Sequence, residues 1–252
     1  MPRASTLALL ALLLAPSPAR SEPAAERPAE VVLLPPPAGL ARLVRPERRL
    51  EASLVILLPD ALGEDGRADP YADSLLARGI ATLVLGVGDG EETAPPSPDP
   101  AASAEAAAAS LRWARQSGFA EARIGLAGFG LGGRAALLAT EGQPVAALYP
   151  RCLSLAPPGQ GDALLIQAAA EAEACDGIAG QPRVTLLLLP GAAHGWDAQG
   201  VTWPGAGLLL PDPAGPGRIP AAADPAATLR AAEALADWFA ARLMPPLPHA
   251  AR

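Results

Sequence analysis

The chain has 252 residues, enough for one α/β domain with a sizeable core. Its formal charge is −7, it has no Lys, and its Arg residues are scattered, so it lacks the basic footprint that nucleic-acid binding needs. Half the residues are hydrophobic, yet no apolar run reaches the roughly 18 residues of a membrane span, and two Cys and two His set far apart offer no metal site.

Arg3 supplies a short positive region, residues 7–14 are Leu and Ala, and the helix breakers Pro16 and Pro18 follow. Ala19-Arg20-Ser21 then places small residues at −3 and −1 of a cleavage point. This predicts a signal peptide over residues 1–21, cut before Glu22, and a periplasmic or secreted protein; a buried first helix is the competing reading. Cleavage removes Arg3 and Arg20 and no acid, leaving 17 basic against 26 acidic residues, a charge of −9. In an oxidising compartment the pair Cys152 and Cys175 reads as a disulfide, with a reactive thiol as the alternative.

Residues 22–30 are polar and Pro-rich, a flexible lead-in to a domain over residues 31–243; residues 244–252 form a Pro-rich tail. Residues 31–34 read as a first strand. Residues 54–58 are unbroken apolar, as expected of a strand buried on both faces. Residues 69–78 predict a helix with Asp69 as N-cap and Pro70 at the first helical position. A buried strand at 80–85 and a Pro-rich loop at 91–100 come next. Residues 101–117 form an Ala-rich helix closed by Gly118. Residues 123–127 are a strand, 131–140 a helix, and 145–149, 164–168 and 184–189 further short strands. A long loop over 196–224 precedes a last helix at 225–243, which aligns Leu229, Ala232, Leu235, Ala236 and Phe239 on one face. Alternating strands and helices imply a mostly parallel sheet with helices on both faces, and a site at the carboxyl ends of its strands.

Gly128-Phe129-Gly130-Leu131-Gly132-Gly133 lies between a strand and a helix, the setting of a nucleophile elbow, G-x-S-x-G. The elbow holds its nucleophile in a strained turn of positive φ. Here that position is Gly130, which adopts such dihedrals freely but brings no side chain. Gly128, Gly130 and Gly133 also fit the bare G-x-G-x-x-G pattern of dinucleotide binding. That pattern belongs on a first strand with an acid ending the next, and neither condition holds, so no cofactor is expected.

The strand at 184–189 runs into Pro190-Gly191-Ala192-Ala193-His194-Gly195-Trp196. The other histidine, His249, lies in the tail. His194 is the candidate catalytic base. An acid to orient it should follow the strand at 164–168, where Glu171, Glu173 and Asp176 stand; Glu171 is nearest the strand end. Oxyanion donors would be the backbone N–H of Leu131 and one after the strand at 54–58, from Asp60 or Ala61.

Together these segments resemble the dienelactone hydrolase family of α/β-hydrolases, over about residues 31–243. The family's elbow, G-x-[CS]-x-G-G, is matched except at Gly130. Its L-L-x-x-G-x-x-D acid segment is matched loosely, with Ala168 for Gly and Glu171 for Asp. Its Y-P-G-A-x-H-x-F segment is matched by residues 189–196, and its His-Gly pair is replaced by Pro59-Asp60. The resemblance implies an α/β-hydrolase fold and hydrolysis of small esters or lactones through an acyl-enzyme. Gly130, Pro59-Asp60 and the altered acid segment argue against that activity, since loss of a serine nucleophile costs about a million-fold in kcat. Three functions follow from this: a degenerate hydrolase that binds a small ligand or a partner; an active one that uses water activated by His194 and Glu171, or another nucleophile; or a structural or assembly protein.

Overall fold

The computed structural model describes residues 29–47, 53–86, 99–155, 158, 160–198 and 208–244, with the backbone alone for Glu173 and Ala174. The predicted signal peptide, most of the lead-in and the Pro-rich tail with His249 lie outside these residues.

Strand β1 (Ala29–Leu33) turns through Pro35–Pro37 into β2 (Leu40–Val44), which pairs antiparallel with it. Next come β3 (Ser53–Leu58), helix α1 (Asp69–Ala77), β4 (Ile80–Leu85) and α2 (Pro100–Gln116). A 3-10 turn at Glu121–Arg123 leads into β5 (Ile124–Phe129), α3 (Leu131–Ala139) and β6 (Val145–Leu148). β7 (Ala163–Ala168) is followed by a second 3-10 segment (Ala169–Cys175), the short α4 (Asp176–Ala179) and β8 (Val184–Leu189). A hairpin of β9 (Leu208–Pro211) and β10 (Arg218–Ala221) precedes α5 (Pro225–Leu243).

Eight strands form one sheet in the order β1-β2-β4-β3-β5-β6-β7-β8. From β4 to β8 all pairs are parallel; β2 joins β4 antiparallel. β3, β5 and β7 are buried along their whole length, and their alternate side chains feed two separate cores. Leu54, Ile56 and Leu58 pack with Ala107 and Leu111 of α2 and Ala135 and Ala136 of α3. Val55 and Leu57 pack with Tyr71 and Leu75 of α1 and Leu235 and Phe239 of α5. The period of two along each strand therefore assigns α2 and α3 to one face and α1 and α5 to the other.

Three local expectations change. The N-cap of α1 is Ala68, without a side-chain cap bond, and Asp69 is the first helical residue. Its carboxylate instead pairs with Arg42 on β2, while still lying at the positive end of the helix. The true caps are Asp99, which accepts from Ala101 N at 2.9 Å, and Asp224, which accepts from Ala226 N and Ala227 N at 2.9 and 3.0 Å. On α5, Leu229 is 56% exposed, and Ala231, Trp238 and Leu243 extend the buried stripe in its place. The predicted loop at 196–224 contains the β9–β10 hairpin, whose Leu210 packs on Ala198 and Ala221.

Cys152 and Cys175 form a disulfide, with Cα atoms 4.7 Å apart. It ties the loop after β6 to the 3-10 segment after β7. The closed loop spans 23 residues, for which chain entropy gives about 3 kcal/mol of stabilisation. Replacing both cysteines by serine should lower unfolding free energy by about that amount in denaturant titration; a change under about 0.5 kcal/mol would contradict it.

Candidate functional site

The carboxyl ends of β3, β5, β6, β7 and β8 lead in turn to Asp60, Gly130, Tyr149, Glu171 and His194. Parallel pairing in register, with Leu58 beside Gly128 and Phe129 beside Leu148, brings the first three to adjacent positions.

Gly130 takes φ 49° and ψ −112°, between β5 and the first turn of α3. That left-handed backbone is where a side chain is strained and glycine is not. The neighbouring glycines are set by close approach: a Cβ on Gly132 would run into the carbonyls of Pro59 and Leu58, and one on Gly128 into the carbonyl of Gly132. The end of β3 and the start of α3 thus touch backbone to backbone.

This approach brings Asp60 onto the elbow. Its Oδ1 accepts from Ala61 N at 2.7 Å and from Leu131 N at 3.1 Å. Its position is such that a Cβ built on Gly130 would lie 2.5 Å from Oδ1 and 2.9 Å from Cγ. The part of Asp60 that faces this point is therefore its side chain, an acceptor. Ala61 and Leu131 are the backbone donors. The carboxylate also lies at the N-terminus of α3, where the helix favours negative charge.

Asp60 is 2% exposed, and a charge so buried needs a partner. Its Oδ2 meets Arg67 Nη1 at 3.2 Å, and Arg67 is itself 2% exposed. Burial works against the Arg67 charge, but the hydrogen-bonded Asp65 and the nearby Asp197 outweigh it and hold the group firmly protonated. Asp65 grips Nε at 2.8 Å through Oδ1 and Nη2 at 2.5 Å through Oδ2. Arg67 Nη1 donates to the Tyr149 hydroxyl at 3.1 Å, which donates to Asp197 Oδ1 at 2.6 Å. Tyr71 donates to Asp197 Oδ2 at 2.7 Å and accepts from Trp196 Nε1 at 3.0 Å. Burial, reinforced by Asp197, raises both tyrosines well above their ordinary range, so the hydroxyls are fixed donors. Arg67, Tyr71, Tyr149 and Asp197 were not anticipated from sequence. The one signal was scarcity: the chain has two tyrosines, and both bond one carboxylate.

His194 is 2% exposed, its ring 5.0 Å from that of Tyr149 in an edge contact. Nδ1 lies 3.4 Å from Glu171 Oε2, an oxygen that also accepts from Gln167 Nε2. Glu171, the candidate acid nearest the strand end, thus lies beside the imidazole. Asp176 starts α4, and the Glu173 side chain lies outside the described residues. The backbone of His194 is pinned by a bridge to Ala221 of β10, and its carbonyl accepts from Ala222 N at 3.3 Å. His194 Nε2 and Gln167 Oε1 are buried with no hydrogen-bond partner among the described residues. Among these residues no cluster of His, Cys, Asp and Glu could hold a metal ion. No helix there is long and apolar enough to cross a membrane.

A mostly parallel eight-stranded sheet with helices on both faces and a strand-to-helix elbow at its centre defines the α/β-hydrolase fold, and solved structures agree. A dienelactone hydrolase from Anabaena variabilis aligns at TM-score 0.63 and 19% identity, over 86% of this chain and 99% of that one. A dienelactone-hydrolase-like promiscuous phosphotriesterase from metagenomic libraries gives 0.59 and 20%, over 85% and 98%. An α/β serine hydrolase homologue from Coxiella burnetii gives 0.54 and 19%, over 66% and 88%. No family model matches the chain, and no curated protein matches its sequence.

Burial pushes the Asp197 carboxyl up to about 6, against the hydrogen bonds from Tyr149 and Tyr71 and the Arg67 charge, which pull it down. The unfolded value is the ordinary one, near 3.9. The folded state therefore holds this proton more tightly. Asp197's contribution to stability is full below about pH 4 and is lost as pH rises through about 6. Relative to Asp197→Asn, the native protein should lose on the order of 3 kcal/mol across that window. Paired denaturant titrations between about pH 4 and 8 check this; a difference independent of pH would sink it.

Proposed function

We propose that this chain is an exported, dienelactone-hydrolase-like protein that does not hydrolyse esters and uses its scaffold to bind a small ligand or a partner. One observation carries the reading: at Gly130 no side chain is available to attack, and the Asp60 carboxylate engages both Leu131 N–H and Ala61 N–H. An acyl-enzyme needs a nucleophile at the elbow and two donors waiting for the negative charge that develops on the carbonyl oxygen. Here the donors already hold a negative charge. Export is supported by the pattern of residues 1–21 and by the disulfide, a bond that persists in oxidising compartments.

A second reading, hydrolysis through water activated by His194, is favoured by one feature. Glu171 lies at Nδ1 while Nε2 has no partner among the described residues, the orientation a general base requires.

Purified protein starting at Glu22 is expected to hydrolyse p-nitrophenyl acetate and small lactones no faster than buffer. Turnover abolished by His194→Ala would reject the non-hydrolytic reading and install the second. Expressed from its full sequence in a bacterial host, the chain is expected in the periplasmic fraction with Glu22 as its first residue by intact mass. An uncleaved cytoplasmic product would refute export.

A further inference from the structure

Positions 60 and 130 are coupled in a way that goes beyond the missing nucleophile. A Cβ at 130 would lie 2.5 Å from Asp60 Oδ1, so a side chain there and the carboxylate exclude each other. The same oxygen takes both backbone donors. Oδ2 meets the buried Arg67 Nη1 at 3.2 Å, which sets the orientation of the carboxylate. The pair reads as one side chain moved across a gap: removed from the elbow, and added on the loop that faces it.

Resting on the non-hydrolytic reading, we infer that Asp60 is an intramolecular block. It fills the space of a nucleophile and the seat of an oxyanion, and hydrolase chemistry is latent behind it. Removing the block requires Asp60→Gly, and supplying a nucleophile requires Gly130→Ser; neither suffices alone. Arg67 stays compensated without Asp60, because Asp65 grips it through both carboxylate oxygens and Tyr149 accepts from it. The fold should therefore tolerate the change. In the double variant the introduced hydroxyl attacks an ester carbonyl and its proton passes to His194. The carbonyl oxygen gains the negative charge, facing Leu131 N–H and Ala61 N–H. Collapse expels the alcohol, which takes the proton from His194. Water then attacks the acyl group by the same route, releasing the acid and restoring the hydroxyl.

The test sets the native protein, Gly130→Ser, Asp60→Gly and the double variant side by side. Each is assayed for p-nitrophenyl acetate turnover and for labelling by a fluorophosphonate, read by intact mass. The double variant is expected to take one label per chain and to turn over at least about 100-fold faster than Gly130→Ser, the scale of an oxyanion-donor loss. His194→Ala in the double background should abolish that turnover. Equal activity in Gly130→Ser and the double variant would show that Asp60 blocks nothing. A folded double variant with neither label nor turnover would refute a latent frame while leaving the non-hydrolytic reading standing. Native turnover that Asp60→Gly removes would overturn both, because the carboxylate would then be doing the chemistry.

A stability cycle tests the coupling even if the double variant folds poorly. Gly130→Ala should lower Tm by on the order of 5 °C more in the native background than beside Asp60→Gly. Equal losses in both backgrounds would mean that the two positions are independent.

Discussion

The rest of the site is organised around a buried carboxylate resting on two backbone N–H groups. Asp60 carries a full charge where water does not reach, at the meeting of three strand ends, and such a charge persists only if it is compensated. Leu131 N–H, Ala61 N–H and the first turn of α3 provide part of the compensation. Arg67 provides the rest, and its own burial then requires Asp65 and Tyr149. Tyr149 in turn donates to Asp197, which is also bonded by Tyr71, and Tyr71 by Trp196. The carbonyl of Trp196 accepts from Asp224 N at 2.7 Å and from the Thr228 hydroxyl at 3.1 Å, at the start of α5. One charge at the elbow thus fixes a line of contacts that ends on the last helix.

How much of this was legible in the sequence depended on the range of the signal. An unbroken apolar run marked β3, mostly apolar runs marked β4 and β8, and the helical face over 225–243 marked α5, because those patterns are local. β2 was not anticipated: Leu-Ala-Arg-Leu-Val is short, and it is ordered by pairing with β1 on one side and β4 on the other. The β9–β10 hairpin hid for the same reason, within a stretch rich in Pro and Gly. At the site, the strand-to-helix turn at Gly130 was legible, since spacing and context are local too. The role of Asp60 was not. Sequence suggested its backbone as a donor; the structure turns its side chain to the elbow as an acceptor for Leu131 N, 71 residues away, a consequence of β3 and β5 pairing in register. Arg67 with Tyr149, and Tyr71 with Asp197, are separated by 82 and 126 residues, and no periodicity reports such pairs.

A hydrolase elbow leaves its donors unsatisfied on purpose, so that they are completed by the charge of the transition state. Here the same donors are completed by the chain itself. On the proposed non-hydrolytic reading, this favours the ground state and removes the differential binding on which catalysis depends. The consequence is uneven across the sheet. At β3 and β5, Gly130 N–H donates to the Leu148 carbonyl, and Leu131 N–H and Ala61 N–H to Asp60. At β7 and β8, Gln167 Oε1 and His194 Nε2 are buried with none among the described residues, although Glu171 still orients the imidazole from Nδ1. The two sides of the site thus differ in pairing, though both are buried. In the proposed binding role, a polar group that reached His194 Nε2 or Gln167 Oε1 would pair atoms that have no partner among the described residues. In the proposed block, the obstacle is the Asp60 carboxylate, and its removal takes changes at positions 60 and 130, which face each other.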